Sequence, residues 1–207
     1  FETAGDAPGA PPTVTNFPGD DWTDNAKAPG TILVQSSIGD LIDQPVVLSQ
    51  AGGACNKNCG GLELSANVYD DGTGVANSGR YEVHGSSLQA KPSVKDAPFQ
   101  VVDGDGDVLA ALAYRTVSSQ PTWYFNNQDT NCAWTTNMKQ DFVITIDFTT
   151  KKTSVSISGC SPTPAVYFQD GNQAGELARV GWYLMGIDAG IVGFDDLKVI
   201  RLPDNVP

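Results

Sequence analysis

Apolar and polar residues alternate with a period of two along most of this chain, in short runs broken by Gly, Pro, Asn and Asp. The clearest case is DFVITIDF-TTKK-TSVSISG, where Phe142, Ile144, Ile146 and Phe148 point one way with Val155 and Ile157 opposite them. Val143, Thr145, Asp147, Ser154, Ser156 and Ser158 then line the other side, because successive strand side chains project to opposite faces. The pattern predicts an antiparallel hairpin with one core face and one wetted face. A second hairpin, FQVV-DGDGD-VLAALAYRTV, has a second strand that is apolar almost to Tyr114, which predicts a central place in its sheet. TWYFNN follows after a turn at Ser118–Pro121.

No window of ten or more residues carries apolar positions at i, i+3, i+4 and i+7 between caps, so no helix is expected. Strands are expected at Thr31–Gln35, Val46–Leu48, Gly61–Asn67, Arg80–Leu88, Phe99–Val102, Val108–Val117, Thr122–Asn126, Asp141–Phe148, Thr153–Ser158, Ala165–Gln169, Arg179–Met185 and Leu197–Leu202. The 22 Gly and 13 Pro supply the punctuation between them. Short alternating strands at this spacing predict an all-β, two-sheet antiparallel sandwich. With 207 residues the chain can bury one substantial core, and residues 1–207 are expected to form a single domain. The stretch from Gly5 to Gly30 reads as an ordered irregular crossing.

Charge narrows the possible partners. There are 24 acidic and 12 basic residues, a formal net charge of −12. Nucleic-acid binding needs Lys/Arg clusters that displace counterions from phosphates, and the sequence has none. The only adjacent basic pair, Lys151-Lys152, reads as a hairpin tip. Anionic membranes are disfavoured for the same reason, and no apolar run approaches the length of a membrane span. The acidic excess suits a solubilised extracellular protein or one that binds cations.

Four cysteines allow three pairings, and Cys55–Cys59 with Cys132–Cys160 is the expected one. A structural zinc site would need further Cys or His pairs, and His84 is the only histidine. Disulfides imply an oxidising compartment, so a secreted location is expected. The chain opens at Phe1, which reads as a mature form after cleavage or an excised domain.

The chain begins FETAGDAPGAPP and finishes GIDAGIVGFDDLKVIRL, and between them a Trp/Tyr strand leads into the DFVITIDF hairpin. This arrangement resembles carbohydrate-associated jelly rolls: concanavalin A-like and laminin-G-like sandwiches and several carbohydrate-binding modules. The galactose-binding-like sandwich is the competing architecture. The resemblance implies an opening Phe-Glu strand beside the closing strand, and a structural calcium held by Glu2 and by Asp195 or Asp196. Calcium takes six to eight oxygens, which two terminal strands and loop carbonyls could supply. DGDGD lacks the distal Glu of an EF-hand loop and reads as an acidic hairpin tip. No organic cofactor motif occurs.

Sugars are held by stacking their apolar faces on aromatic rings while polar side chains take the hydroxyls. On alternation, Arg80, Glu82 and His84 share a face, Tyr167 and Gln169 alternate with core-facing Val166 and Phe168, and Tyr114, Arg115, Trp123, Tyr124, Asn126 and Asn127 form an aromatic and amide group. The expected ligand-binding set is Arg80, His84, Tyr114, Trp123, Tyr124 and Tyr167, holding an oligo- or polysaccharide without cleaving it. The enzymatic alternative is a polysaccharide lyase acting on a uronate glycan through Arg80, His84, Tyr167 and Gln169. YFQDG only partly echoes the Tyr-Phe-Lys-Ala-Gly strand of alginate-type lyases, and their Gln-x-His strand is missing. A two-carboxylate hydrolase would have to use Glu82 with Asp147. A third class is a structural surface or filament subunit, so self-association stays open.

Overall fold

The computed structural model describes residues 23–26, 30–35, 37–41, 45–50, 62–68, 78–91, 99–117, 120–170, 176–184 and 190–203. All regular structure among these residues is β-strand, arranged as two seven-stranded antiparallel sheets. The first sheet runs β1 (Thr23–Ala26), β4 (Leu62–Asn67), β13 (Leu177–Leu184), β6 (Phe99–Asp103), β7 (Val108–Val117), β8 (Gln120–Phe125) and β9 (Gln128–Ala133). The second runs β12 (Val166–Tyr167), β11 (Lys152–Ile157), β10 (Gln140–Asp147), β5 (Arg80–Lys91), β14 (Gly190–Leu202), β3 (Val46–Gln50) and β2 (Gly30–Val34). No helix among the described residues is long and apolar enough to cross a membrane.

The expected hairpins form in the expected register. Phe142 pairs with Ile157 and Ile144 with Val155, so their side chains share the core face. β6 pairs with β7, which lies fifth from the β1 edge and third from the β9 edge, an interior position as its apolar run requires. Four strands depart from expectation, the closing one beginning at Gly190 and not at Leu197. β1 lies within the stretch read as an irregular crossing, β9 was not expected, and the 165–169 strand shortens to Val166–Tyr167. β9 has the sequence QDTNCA and mostly exposed side chains, so no apolar alternation marks it. The opening Phe-Glu strand and the Cys55–Cys59 pair lie outside the described residues.

The core fills the space between the sheets. Phe99, Val101, Leu112, Val180 and Trp182 come from the first sheet and Val83, Phe142, Ile144, Val155 and Phe194 from the second, all buried. Trp182 packs on Phe99 and Phe194 with ring centroids 5.0 and 4.5 Å away, and Phe99 reaches Phe142 across the core at 5.0 Å. Gly85 on β5 makes room for this contact: a Cβ there would sit 2.6 Å from Phe142 Cζ.

Two polar struts cross the same core. The Tyr114 hydroxyl on β7 donates to Ser87 Oγ on β5 at 2.5 Å, and Trp123 Nε1 on β8 donates to Gln140 Oε1 on β10 at 2.7 Å. Each satisfies a donor that would otherwise be stranded in apolar surroundings. The Cys132–Cys160 disulfide forms as expected, with a Cα–Cα distance of 5.7 Å. It ties β9, an edge strand of the first sheet, to the turn that follows β11 in the second.

Candidate functional site

The outward surface of the first sheet is built by size alternation. On β7, Leu112 and Tyr114 turn into the core, so Ala111 and Ala113 turn outward, yet they are only 8% and 6% exposed. On β13, Gly181 lies outward between core-facing Val180 and Trp182 and pairs with Gln100 of β6, itself opposite Ala111. Outward residues that small are buried because larger neighbours flank and overhang them, so this strip is a floor of small side chains between taller ones.

One wall of the recess is a preorganised cation–aromatic pair. Tyr124, register partner of Ala113, is half-buried, and the Arg115 guanidinium lies over its ring, 4.8 Å from the centroid. Arg115 Nη2 donates to Asn127 Oδ1 at 2.9 Å. Asn126 and Asn127 form the two-residue link between β8 and β9, with φ of 45° and 62°. Positive φ at both central positions is what a type I′ hairpin turn requires, and asparagine tolerates it. Asn126 fixes the turn further: its N–H donates to Ala111 O, its Oδ1 accepts from Ala111 N, and its Nδ2 donates to Tyr167 O. The local sequence Asn-Asn thus sets where Arg115 and Tyr124 stand. Arg179 is half-buried at the far end of the same sheet, opposite Val102.

The outward face of the second sheet carries the other nominated group. Arg80, Glu82 and His84 project from β5 away from core-facing Tyr81 and Val83, as alternation predicts. His84 Nε2 and Glu82 Oε2 are 2.9 Å apart. Register places Arg80, Asp147, Lys152 and Tyr167 in one row across four strands. Tyr167 is 62% exposed at the edge, with Lys152 Nζ 5.3 Å from its ring centroid.

The six residues expected to bind ligand therefore do not share a surface. Tyr114 and Trp123 are 3% and 1% exposed, stacked on each other at 3.9 Å inside the core, so neither ring can meet a sugar. Burial also raises the Tyr114 hydroxyl pKa well above its ordinary value, removing it from acid–base work. Both belong to the core because β7 and β8 keep strict alternation through paired Tyr114 and Trp123. Tyr124 faces outward on the first sheet, and Arg80, His84 and Tyr167 outward on the second. The four residues of the lyase alternative are similarly spread. Arg80 and His84 are about 13 Å apart along β5, and Tyr167 is about 14 Å from Arg80 across three strand spacings. The Gln169 backbone leaves that sheet, its N–H bonding Leu109 O on β7. Proton transfer needs contacts of about 3 Å. The Glu82 and Asp147 carboxylates are also engaged, Glu82 by His84 and Asp147 Oδ1 by the N–H groups of Thr149 and Thr150.

Asp195 and Asp196 sit at an irregularity in the β14–β5 pairing, Asp196 with φ 56°. Asp195 is buried, and desolvation raises its carboxyl pKa although it accepts the Asp196 N–H at 2.9 Å. Asp196 Oδ2 accepts from Lys139 Nζ at 2.9 Å and from Ser86 Oγ at 2.8 Å, and the lysine bond holds its pKa below the usual carboxylate range. Glu2, the third expected calcium ligand, lies outside the described residues. Among those described, no group of three or more His, Cys, Asp or Glu side chains could hold a metal, and Lys139 supplies the counter-charge to Asp196. DGDGD is a self-capped hairpin tip, as expected: Asp103 Oδ1 accepts the N–H groups of Asp105 and Asp107.

The chain has the topology of a two-sheet antiparallel β-sandwich of the jelly-roll kind. Among solved structures it is similar to the catalytic domain of a glycoside hydrolase family 131 protein from Coprinopsis cinerea, at 13% identity and a TM-score of 0.57, covering 89% of this chain and 84% of that one. An alginate lyase from Corynebacterium sp. aligns at 15% identity and a TM-score of 0.56, over 83% of this chain and 81% of the other. A sialidase aligns at 7% identity and a TM-score of 0.59 over 87% of this chain, which spans only 18% of the sialidase's length. These likenesses establish the fold. No family model matches the sequence, and no curated protein sequence matches it either.

Proposed function

We propose that this protein is a secreted carbohydrate-binding domain that holds a polysaccharide in the recess on the outward face of its first sheet. The observation that carries the reading is the buried floor of Ala111, Ala113 and Gly181 beside the Arg115–Tyr124 pair. A recess with a flat aromatic wall and adjacent amides matches the way sugar rings are bound, by apolar stacking with hydroxyls taken by polar groups. Gln100 and Asn127 are the amides closest in register to the floor and the wall. The fold is shared with solved structures named as a glycoside hydrolase, alginate lyases and a sialidase, which supports a carbohydrate partner. The Cys132–Cys160 disulfide supports an oxidising compartment.

Glycan-array binding by the intact chain, and its loss in Tyr124→Ala with a melting temperature lowered by only a few degrees, tests the proposal. Array binding that survives Tyr124→Ala would move the site off this face. The alginate lyase likeness favours uronate cleavage as the second reading. Unsaturated product absorbing at 235 nm from a polyuronate would establish it.

A further inference from the structure

Arg115 is the cation of the wall just described, and its role decides what kind of sugar fits there. A guanidinium that serves as a carboxylate receptor presents its planar fork of N–H donors to the ligand. Here part of the fork is already engaged. The guanidinium carbon lies over the Tyr124 ring, 4.8 Å from its centroid, and Nη2 donates to Asn127 Oδ1. Asn127 is itself held by the two-residue turn at φ 62°, so this anchor is rigid. The nearest charge on the neighbouring strand is negative: Asp129 of β9 is the register partner of Tyr124 and is exposed. Arg179, the other cation described on this face, stands at the far end of the sheet. Strand rise and spacing put it about 20 Å from Arg115, the span of several sugar residues. The whole chain carries a net charge of −12, so a polyanion approaches against the field of the protein.

Resting on the recess as the binding site, we infer that Arg115 and Tyr124 form a stacking platform for uncharged sugar rings, and that the ligand is a neutral polysaccharide. The guanidinium covers the Tyr124 ring, so a sugar would rest on the pair and not on a bare tyrosine, and the ring quadrupole and Asn127 both draw on its charge. Asn127 is the positioning residue, acting through Arg115.

The test compares a soluble neutral β-glucan with a polyuronate, by calorimetry or affinity electrophoresis, at ~0.01 M and ~0.15 M salt, where the Debye length falls from ~30 to ~8 Å. The intact protein should bind the glucan equally at both salts and bind the polyuronate weakly or not at all. Arg115→Lys keeps the charge and loses the planar stack, and it should weaken glucan binding roughly three- to tenfold. Asn127→Gly keeps the positive-φ turn but removes the anchor, so it should weaken binding in the same direction while the melting temperature holds. Tighter binding of the polyuronate, falling with salt and retained by Arg115→Lys, overturns the inference and leaves the recess as the site. If neither polymer binds, or if Tyr124→Ala leaves glucan binding intact, the recess itself is wrong and the inference goes with it.

Discussion

Trp123 and Tyr124 are neighbours in sequence on opposite faces of β8, and replacing each with alanine should produce opposite phenotypes. Trp123 is 1% exposed, stacks on Tyr114 at 3.9 Å and donates its indole N–H to Gln140 across the core. Removing a buried indole costs about 3 to 5 kcal/mol, the sum of lost transfer energy and the cavity left behind. Gln140 is half-exposed and keeps its bond from Nε2 to Ala133 O, so water replaces its lost donor at little further cost. For a domain of this length each kcal/mol lowers Tm by about 2 to 4 °C, so Trp123→Ala should melt about 6 to 20 °C lower. Trp123→Phe retains a ring against Tyr114 and should lose only a fraction of that. Tyr124→Ala removes a half-buried ring from the outer wall, so its Tm should move by only a few degrees while glycan binding falls. Thermal melts followed by near-ultraviolet circular dichroism separate the cases. A Trp123→Ala protein that melts with wild type, or a Tyr124→Ala protein that melts as low as Trp123→Ala, would refute the assignment of faces.

Two further outcomes follow from the geometry. Replacing both Cys132 and Cys160 with serine releases a loop of sequence separation 28, and the chain-entropy relation then gives a loss of about 3 to 4 kcal/mol, readable from urea midpoints of the two proteins. Asp195 has a raised carboxyl pKa in the fold, so the folded state binds its proton more tightly than the unfolded chain does. Its ionisation therefore costs stability as pH rises from the ordinary carboxylate value through the raised one. Asp195→Asn should be more stable than wild type at neutral pH and should flatten that part of the stability–pH curve; a less stable variant would mean that the charged form is needed.

Much of the architecture was legible because polarity alternated with the pleat. In β10 and β11 the core side is Phe, Ile and Val and the wet side is Ser, Thr and Asp, so register and face could both be read. β7 hid its outer face, because Ala111 and Ala113 are as apolar as Leu112 and differ only in size. A size alternation of large and small residues was the available signal, and it marks the recess floor. Tyr114 and Trp123 misled for the related reason that Tyr and Trp suit both a sugar platform and a core with a polar strut. The strut partners, Ser87 and Gln140, come from strands 27 and 17 positions away, a separation that local pattern does not reveal. The Asn126-Asn127 turn was visible as sequence, but its hold on Arg115 required the paired strands on either side.

The disulfide also gives the sandwich a direction of opening. It fastens the two sheets at the β9 and β11 side, while at the other side β1 and β2 meet as the outermost strands of their sheets with no covalent tie among the described residues. Separation of the layers must then start at the β1–β2 margin and swing about the fastened one, as a book opens from its fore-edge. The recess wall formed by Arg115, Tyr124 and Asn127 stands beside the spine. Amides of β1 and β2 should accordingly exchange with solvent well before those of β8 and β9. A glycan seated at the wall would be held by the part of the molecule that loosens last.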